Sequence, residues 1–167
     1  MARRKVITCE SCDTREYMEK AIEVELKTGD KIYFCCEHCK DVTSDEEILD
    51  KEIFSMIKHI IGVKTMGKTV NGYIRNRLKD DFDKDKRQIL FTILSEKRYK
   101  LTEIISKKTF PNSTIKAKYV FASVEKDVEQ ELQRKTKQEE RITFVTFDEP
   151  ISVSRTTKKR KSIRDFL

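Results

Sequence analysis

The chain has 167 residues, 39% of them charged and 37% apolar, with a formal net charge of +7. That length suits one compact domain with appendages and is too short for two large ones. No apolar run approaches the ~18 residues that a membrane span needs, so no membrane association is expected. The charge sits at the ends. Residues 155–167 hold six basic residues against Asp165, a balance of +5; Arg3, Arg4 and Lys5 add +3, and residues 6–154 come to −1. Nucleic-acid affinity comes largely from clustered Lys and Arg. A near-neutral body therefore argues against a broad DNA-wrapping surface, while leaving room for a local patch.

Met1-Ala2-Arg3-Arg4-Lys5 is charged, with no apolar run behind it, so a secretory signal is not expected. Reduced cysteines then place the chain in an intracellular, reducing compartment: the cytoplasm, or the nucleus in a eukaryote or its virus. Cys9 and Cys12 form a C-x2-C pair, and Cys35 and Cys39 a C-x3-C pair. Two close pairs can bring four thiolates to one tetrahedral zinc at roughly 2.3 Å per bond. Between them, Ala21, Ile22, Val24 and Leu26 read as a strand, Thr28-Gly29-Asp30 as a turn, and Lys31 to Phe34 as the returning strand. That hairpin carries the second pair back to the first. A redox C-x-x-C would be one reactive pair near a βαβ pattern, not two matched pairs. Cys36 and His38 both lie close enough to replace Cys35. The reading prefers Cys35 with Cys39, whose sulfurs fall about one helical turn apart at a helix start.

The run Y-F-C-C-x-x-C-K after C-x2-C resembles the treble-clef zinc modules of the TRASH and MYM type, over about 35 residues. Their second knuckle commonly reads F-C-S-x-x-C. The resemblance therefore implies that Cys36, standing at the serine position, is not a ligand, and that one structural Zn2+ sits on Cys9, Cys12, Cys35 and Cys39. Similar modules occur in a ribosomal protein, in chromatin and transcription factors, and in late transcription factors of large DNA viruses.

Thr43-Ser44-Asp45-Glu46-Glu47 holds overlapping capping-box patterns. Apolar residues then recur at helical spacing from Ile48 to Ile61, and Gly62 stops the helix, which should form the main core. His59 lies on it with no second metal ligand nearby and reads as structural or exposed. A second helix covers Thr69 to Phe82, with Val70, Tyr73, Ile74, Leu78 and Phe82 on one face. Asn71, Arg75, Asn76, Arg77 and Lys79 occupy the other face. They suit a helix-turn-helix reader, but a solvated face shows the same pattern, and that plainer reading is preferred. Helix continues from Asp83 to Lys107, and Phe110-Pro111-Asn112-Ser113 is a break. Ile115, Ala117, Tyr119 and Phe121 alternate as in a strand, a polar helix runs from Val124 to Glu140, and Ile142 to Phe147 reads as a second strand.

The expected fold is α+β: a zinc module at 1–42, a helical region at 43–110, a strand-helix-strand region at 111–150 and a basic tail at 151–167. Lys158-Lys159-Arg160-Lys161 is a nuclear-localisation-like or phosphate-binding run. Beyond it, Ile163, Phe166 and Leu167 resemble sliding-clamp-binding peptides, in which an aliphatic residue and a following aromatic pair fill one pocket as a short helical turn. The eukaryotic and archaeal form has glutamine where Arg160 stands. Tails of this kind also resemble those of phage polymerases and phage late-transcription factors that ride the clamp. No phosphate-cradling loop, nucleophile elbow or paired histidine is found, so an enzyme is not expected. The reading is a non-enzymatic zinc accessory factor of replication or transcription, viral or phage late transcription among the settings, with a sliding clamp and the RNA polymerase machinery as partners. The alternative is a zinc-dependent DNA- or RNA-binding regulator.

Overall fold

The computed structural model describes residues 5–147, with side chains to 139. Contacts divide the chain after Arg134. The described part beyond that point, 135–147, is helical.

The first forty residues carry two small antiparallel sheets. Strands β1 (Val6–Thr8) and β2 (Arg15–Tyr17) pair with Val6 opposite Tyr17. Strands β3 (Ile22–Glu25) and β4 (Lys31–Phe34) pair with Ile22 opposite Phe34. Their turn closes because Gly29 takes φ 84°, a left-handed conformation open to glycine, and the Gly29 amide donates to the Leu26 carbonyl at 2.8 Å. On β4 the period of two puts Ile32 and Phe34 inward. They meet Cys9, Leu26 and Cys39 in a five-residue core. Helix α1 (Glu37–Asp41) follows at once.

Helix α2 (Asp45–Ile61) starts at Ser44, whose hydroxyl accepts from the Glu47 amide while the Glu47 carboxylate accepts from the Ser44 amide. It ends at Gly62, in the left-handed conformation with φ 71°. Helices α3 (Lys68–Asp81) and α4 (Lys84–Lys107) follow, α4 capped by the Asp83 carboxylate on the Lys86 amide. Leu49, Ile53, Met56, Ile57, Ile60 and Ile61 of α2 are buried in one cluster with Ile74 and Leu78 of α3 and Leu90 and Leu94 of α4. Among the described residues no helix is long and apolar enough to cross a membrane.

The α+β class holds, but the described strands lie only in the first forty residues. The strands expected at 115–121 and 142–147, with a polar helix between them, are instead one helix, α5 (Ser113–Phe147). The reason is visible in burial. Ala117, Val120, Phe121, Val124 and Val128 are all at most 2% exposed and recur every three or four residues, a helical stripe. The apparent alternation takes in Ile115, which is 37% exposed and lies off that stripe. Tertiary packing of the stripe overrides the strand preference of its valines and aromatics. The expected break at Phe110 to Ser113 is the turn between α4 and α5.

Helix α2 also holds the N-terminal hairpin. The Lys27 amide donates to Glu52 at 3.2 Å, the Thr28 and Ser55 hydroxyls share a hydrogen bond at 2.6 Å, and Ser55 donates to Asp30 at 2.7 Å. Lys58 pairs with the same carboxylate, and His59 Nε2 lies 3.2 Å from its other oxygen. Arg98 of α4 stands 3.2 Å from His59 Nδ1. Because guanidinium only donates, Nδ1 accepts and Nε2 carries the proton toward Asp30. His59 is thus structural. Burial would raise the Asp30 carboxyl, but Lys58, Ser55 and His59 overcome this and bring it to about 2. A depressed carboxyl stabilises the fold above its ordinary value and loses that contribution only as pH falls from about 4 toward 2. Asp30→Asn should therefore cost about 1–2 kcal/mol at pH 7, discounted for partial exposure. Denaturant unfolding of the two proteins checks this; identical midpoints would mean that the turn is not fastened to α2.

Candidate metal centre

The order strand, knuckle, hairpin, helix sets the four sulfurs. The chain leaves β1 at Thr8 and turns back through residues 9–14. The Cys9 amide donates to the Thr14 carbonyl at 2.8 Å, and the Asp13 amide to the Cys9 carbonyl at 3.1 Å. Asp13 takes φ 58° there, a left-handed conformation that aspartate tolerates better than most side chains. The Glu10 amide donates to the Tyr33 carbonyl at 2.9 Å, fastening the knuckle to β4. Cys35 stands just past the end of β4, and Cys39 lies four residues on, inside α1. One helical turn brings residues i and i+4 to the same face.

Cys9, Cys12, Cys35 and Cys39 consequently have their sulfur atoms all within 4.8 Å of one another. Cys12 and Cys35 are 3.6 Å apart, and Cys35 and Cys39 3.5 Å. Four thiolates at ~2.3 Å from a tetrahedral zinc stand about 3.8 Å apart, so the cluster has the dimensions of such a site. It is half inside the protein: Cys9 and Cys39 are buried in the small core, while Cys12 is exposed and Cys35 intermediate.

The electrostatics fit a cation. Burial pushes the Cys9 thiol up, but the amides of Cys12, Cys35 and Ser11 outweigh it and bring the group to about 6. The Thr14 hydroxyl and amide pull Cys12 down. Cys39 and Cys12 push Cys35 up. Cys39 gains from the Cys35 hydrogen bond but is driven by Cys12 and Cys36 to about 11. Four negative sulfurs this close repel one another, so the last protons leave only when a divalent ion takes their place. The donor set is all thiol, which suits zinc, and it fills four positions.

The structure brings together the four sequence-predicted ligands. Cys36 stands at the N-cap position of α1, outside the group and exposed, with no side-chain capping bond and its sulfur 3.9 Å from that of Cys35. His38 is exposed and does not join the group. On the expected reader face, Asn71 donates to the Met66 carbonyl and Arg77 is paired with Asp81 and Glu125. Lys158, Lys159, Arg160, Lys161, Ile163, Phe166 and Leu167 lie outside the described residues. The Asp30 network leaves no mark in the sequence. Its α2 members, Glu52, Ser55 and His59, look in sequence like an ordinary solvated face.

Cys12→Ser should release the metal and unfold the first forty residues, whereas Cys36→Ser should keep one zinc per chain. Metal content by mass spectrometry, with amide exchange over the module, checks both. Acid should release the metal as well, because each ligand binds as thiolate. Full retention in Cys12→Ser, or loss in Cys36→Ser, would show that the ligand set is wrong.

Comparison with protein-family models, with curated proteins and with solved structures yields no match to this chain.

Proposed function

We propose that the protein is a non-enzymatic, zinc-binding accessory factor of replication or transcription, viral or phage late transcription among its settings, which recruits a sliding clamp through Ile163, Phe166 and Leu167. The observation that carries the zinc part is the closed group of four thiols. Four sulfurs leave no open position for water or substrate, so the ion organises structure and performs no chemistry. The succession of knuckle, hairpin and short helix around the group supports a treble-clef module of the TRASH and MYM type. Such a factor works in a reducing compartment, where its ligands stay thiols.

The clamp part rests on the sequence of 154–167. Three large apolar side chains stand in a strongly basic stretch, a spacing suited to one apolar pocket on a partner. Ordering so short a segment costs much of what its anchors gain, so the affinity should be micromolar, on the order of 8 kcal/mol. Lys158 to Lys161 add attraction toward an acidic surface and make binding weaken with salt. The test is titration of the full chain against the clamp from its own source, beside Phe166→Ala with Leu167→Ala. The proposal expects loss of clamp binding in the double variant. Unchanged binding would contradict it. Loss of nucleic-acid binding on neutralising Lys158 to Lys161, with no clamp binding in either protein, would favour the nucleic-acid regulator instead.

A further inference from the structure

The body's charge of −1 conceals a separation of sign. From Ile53 to Lys79 the chain has six Lys or Arg and no Asp or Glu; from Ile104 to Val124 it has four Lys and again no acid. The fold brings these two stretches to one end of the helical body of the first unit. The first contains the α2–α3 turn and the second the α4–α5 turn. Lys116 Nζ, on the first turn of α5, donates to the Ile61 carbonyl at the end of α2 at 3.4 Å. The Lys118 ammonium lies 5.7 Å from the Tyr73 ring centroid on α3. Val63 and Met66 of one turn pack on the same core as Phe110 of the other and Tyr119 of α5.

Local carboxylates are used elsewhere. Asp30 takes Lys58, Glu103 takes Lys107, and Asp81 and Glu125 take Arg77. Lys64, Lys68, Lys108, Lys116 and Lys118 have no ion pair among the described residues. All of the five but Lys116 are exposed. Thr65, Thr69, Asn112 and Thr114 lie in the same turns and helix starts. Ammonium groups interleaved with hydroxyl and amide donors are the usual partners of phosphate oxygens, and they carry no base-edge code.

We infer that this end of the body, from the α2–α3 turn to the first turns of α5, docks on the phosphate backbone of duplex DNA without reading sequence. A duplex fits better than a single strand. Single-strand binders offer free aromatic faces for stacking, whereas Tyr73 packs edge-on against Phe121 with Lys118 over its face. Tyr119 likewise packs against Phe110 with Lys108 over it, 4.7 Å from its centroid. An acidic protein surface would also attract five lysines, but among them Ile115 alone is an exposed large apolar side chain, at 37%, and a single aliphatic residue falls short of the clustered aromatic and arginine anchors that partner proteins bury. This surface belongs to the helical body and is independent of the clamp-docking reading of the tail.

The test is fluorescence anisotropy of a short mixed-sequence DNA duplex with the zinc-loaded full chain, in a background where Lys158, Lys159, Arg160 and Lys161 are all changed to Gln. Binding should persist in that background. Adding Lys64→Gln, Lys68→Gln, Lys108→Gln and Lys118→Gln should lower affinity about tenfold or more at low salt and reduce the salt slope by about 2–4, near 0.9 per phosphate contact. Arg at the same four positions should keep both. Melting curves that coincide across the variants show that folding is intact. The inference is overturned if neutralising the four lysines leaves affinity and slope unchanged, or if the Arg set loses binding as the Gln set does. Tenfold preference for a single strand or an RNA duplex, or capture on anionic vesicles without DNA binding, would overturn it too.

Discussion

Four sulfurs within 4.8 Å of one another are the constraint on which the first forty residues depend. The module's own apolar core has five members, and two of these are cysteines of the cluster. Two-stranded sheets of three or four residues are marginal in water by themselves. A structural zinc contributes roughly 10–16 kcal/mol of apparent binding energy to a module of this size. A metal held by the four sulfurs would therefore stand in for the hydrophobic burial that a short, charged segment cannot supply. It also explains why Phe34, fully buried, immediately precedes Cys35: strand register and ligand position are set by the same residue pair.

The second dependence is on α2, which lies between two cores. One side is aliphatic and closes the helical cluster, while Glu52 and Ser55, at 4% and 6% exposure, face the hairpin. Buried polar groups are tolerated only when bonded. Here they hold the Lys27 amide, the Thr28 hydroxyl and the Asp30 carboxylate, with Lys58 and His59 beside them. Ile48 of α2 packs against the module's core, and the polar, directional bonds beside it fix an orientation that apolar contact alone would leave loose. Lys51, paired with Glu10 of the knuckle, adds a further tie close to the sulfurs.

Much of this was legible because independent signals agreed. For α2, a capping box, a 3.6-residue period and a terminal glycine all named one helix, and the turn at Gly29 and the strands beside it were equally plain. The ligand types were clear from spacing. The choice among Cys35, Cys36 and His38 was not, since it depends on where β4 ends and α1 begins, a matter of one residue. The stretch from Ile115 to Phe121 was misread because Ala117 and Phe121 belong to both a period of two and a period near four; only the partners of Val120, Val124 and Val128 decide between them. The lysines at the far end escaped notice for a similar reason. Net charge sums over the chain, whereas a surface gathers residues from turns some fifty positions apart, such as Lys64 and Lys116.

The account stands on the identity of the ion and its ligands, and X-ray absorption at the zinc edge of the purified protein tests that most directly. It predicts zinc with a shell of four sulfurs at about 2.3 Å and no lighter atom. A nitrogen or oxygen neighbour in the first shell, or a protein that folds its first forty residues with no metal at all, would contradict it.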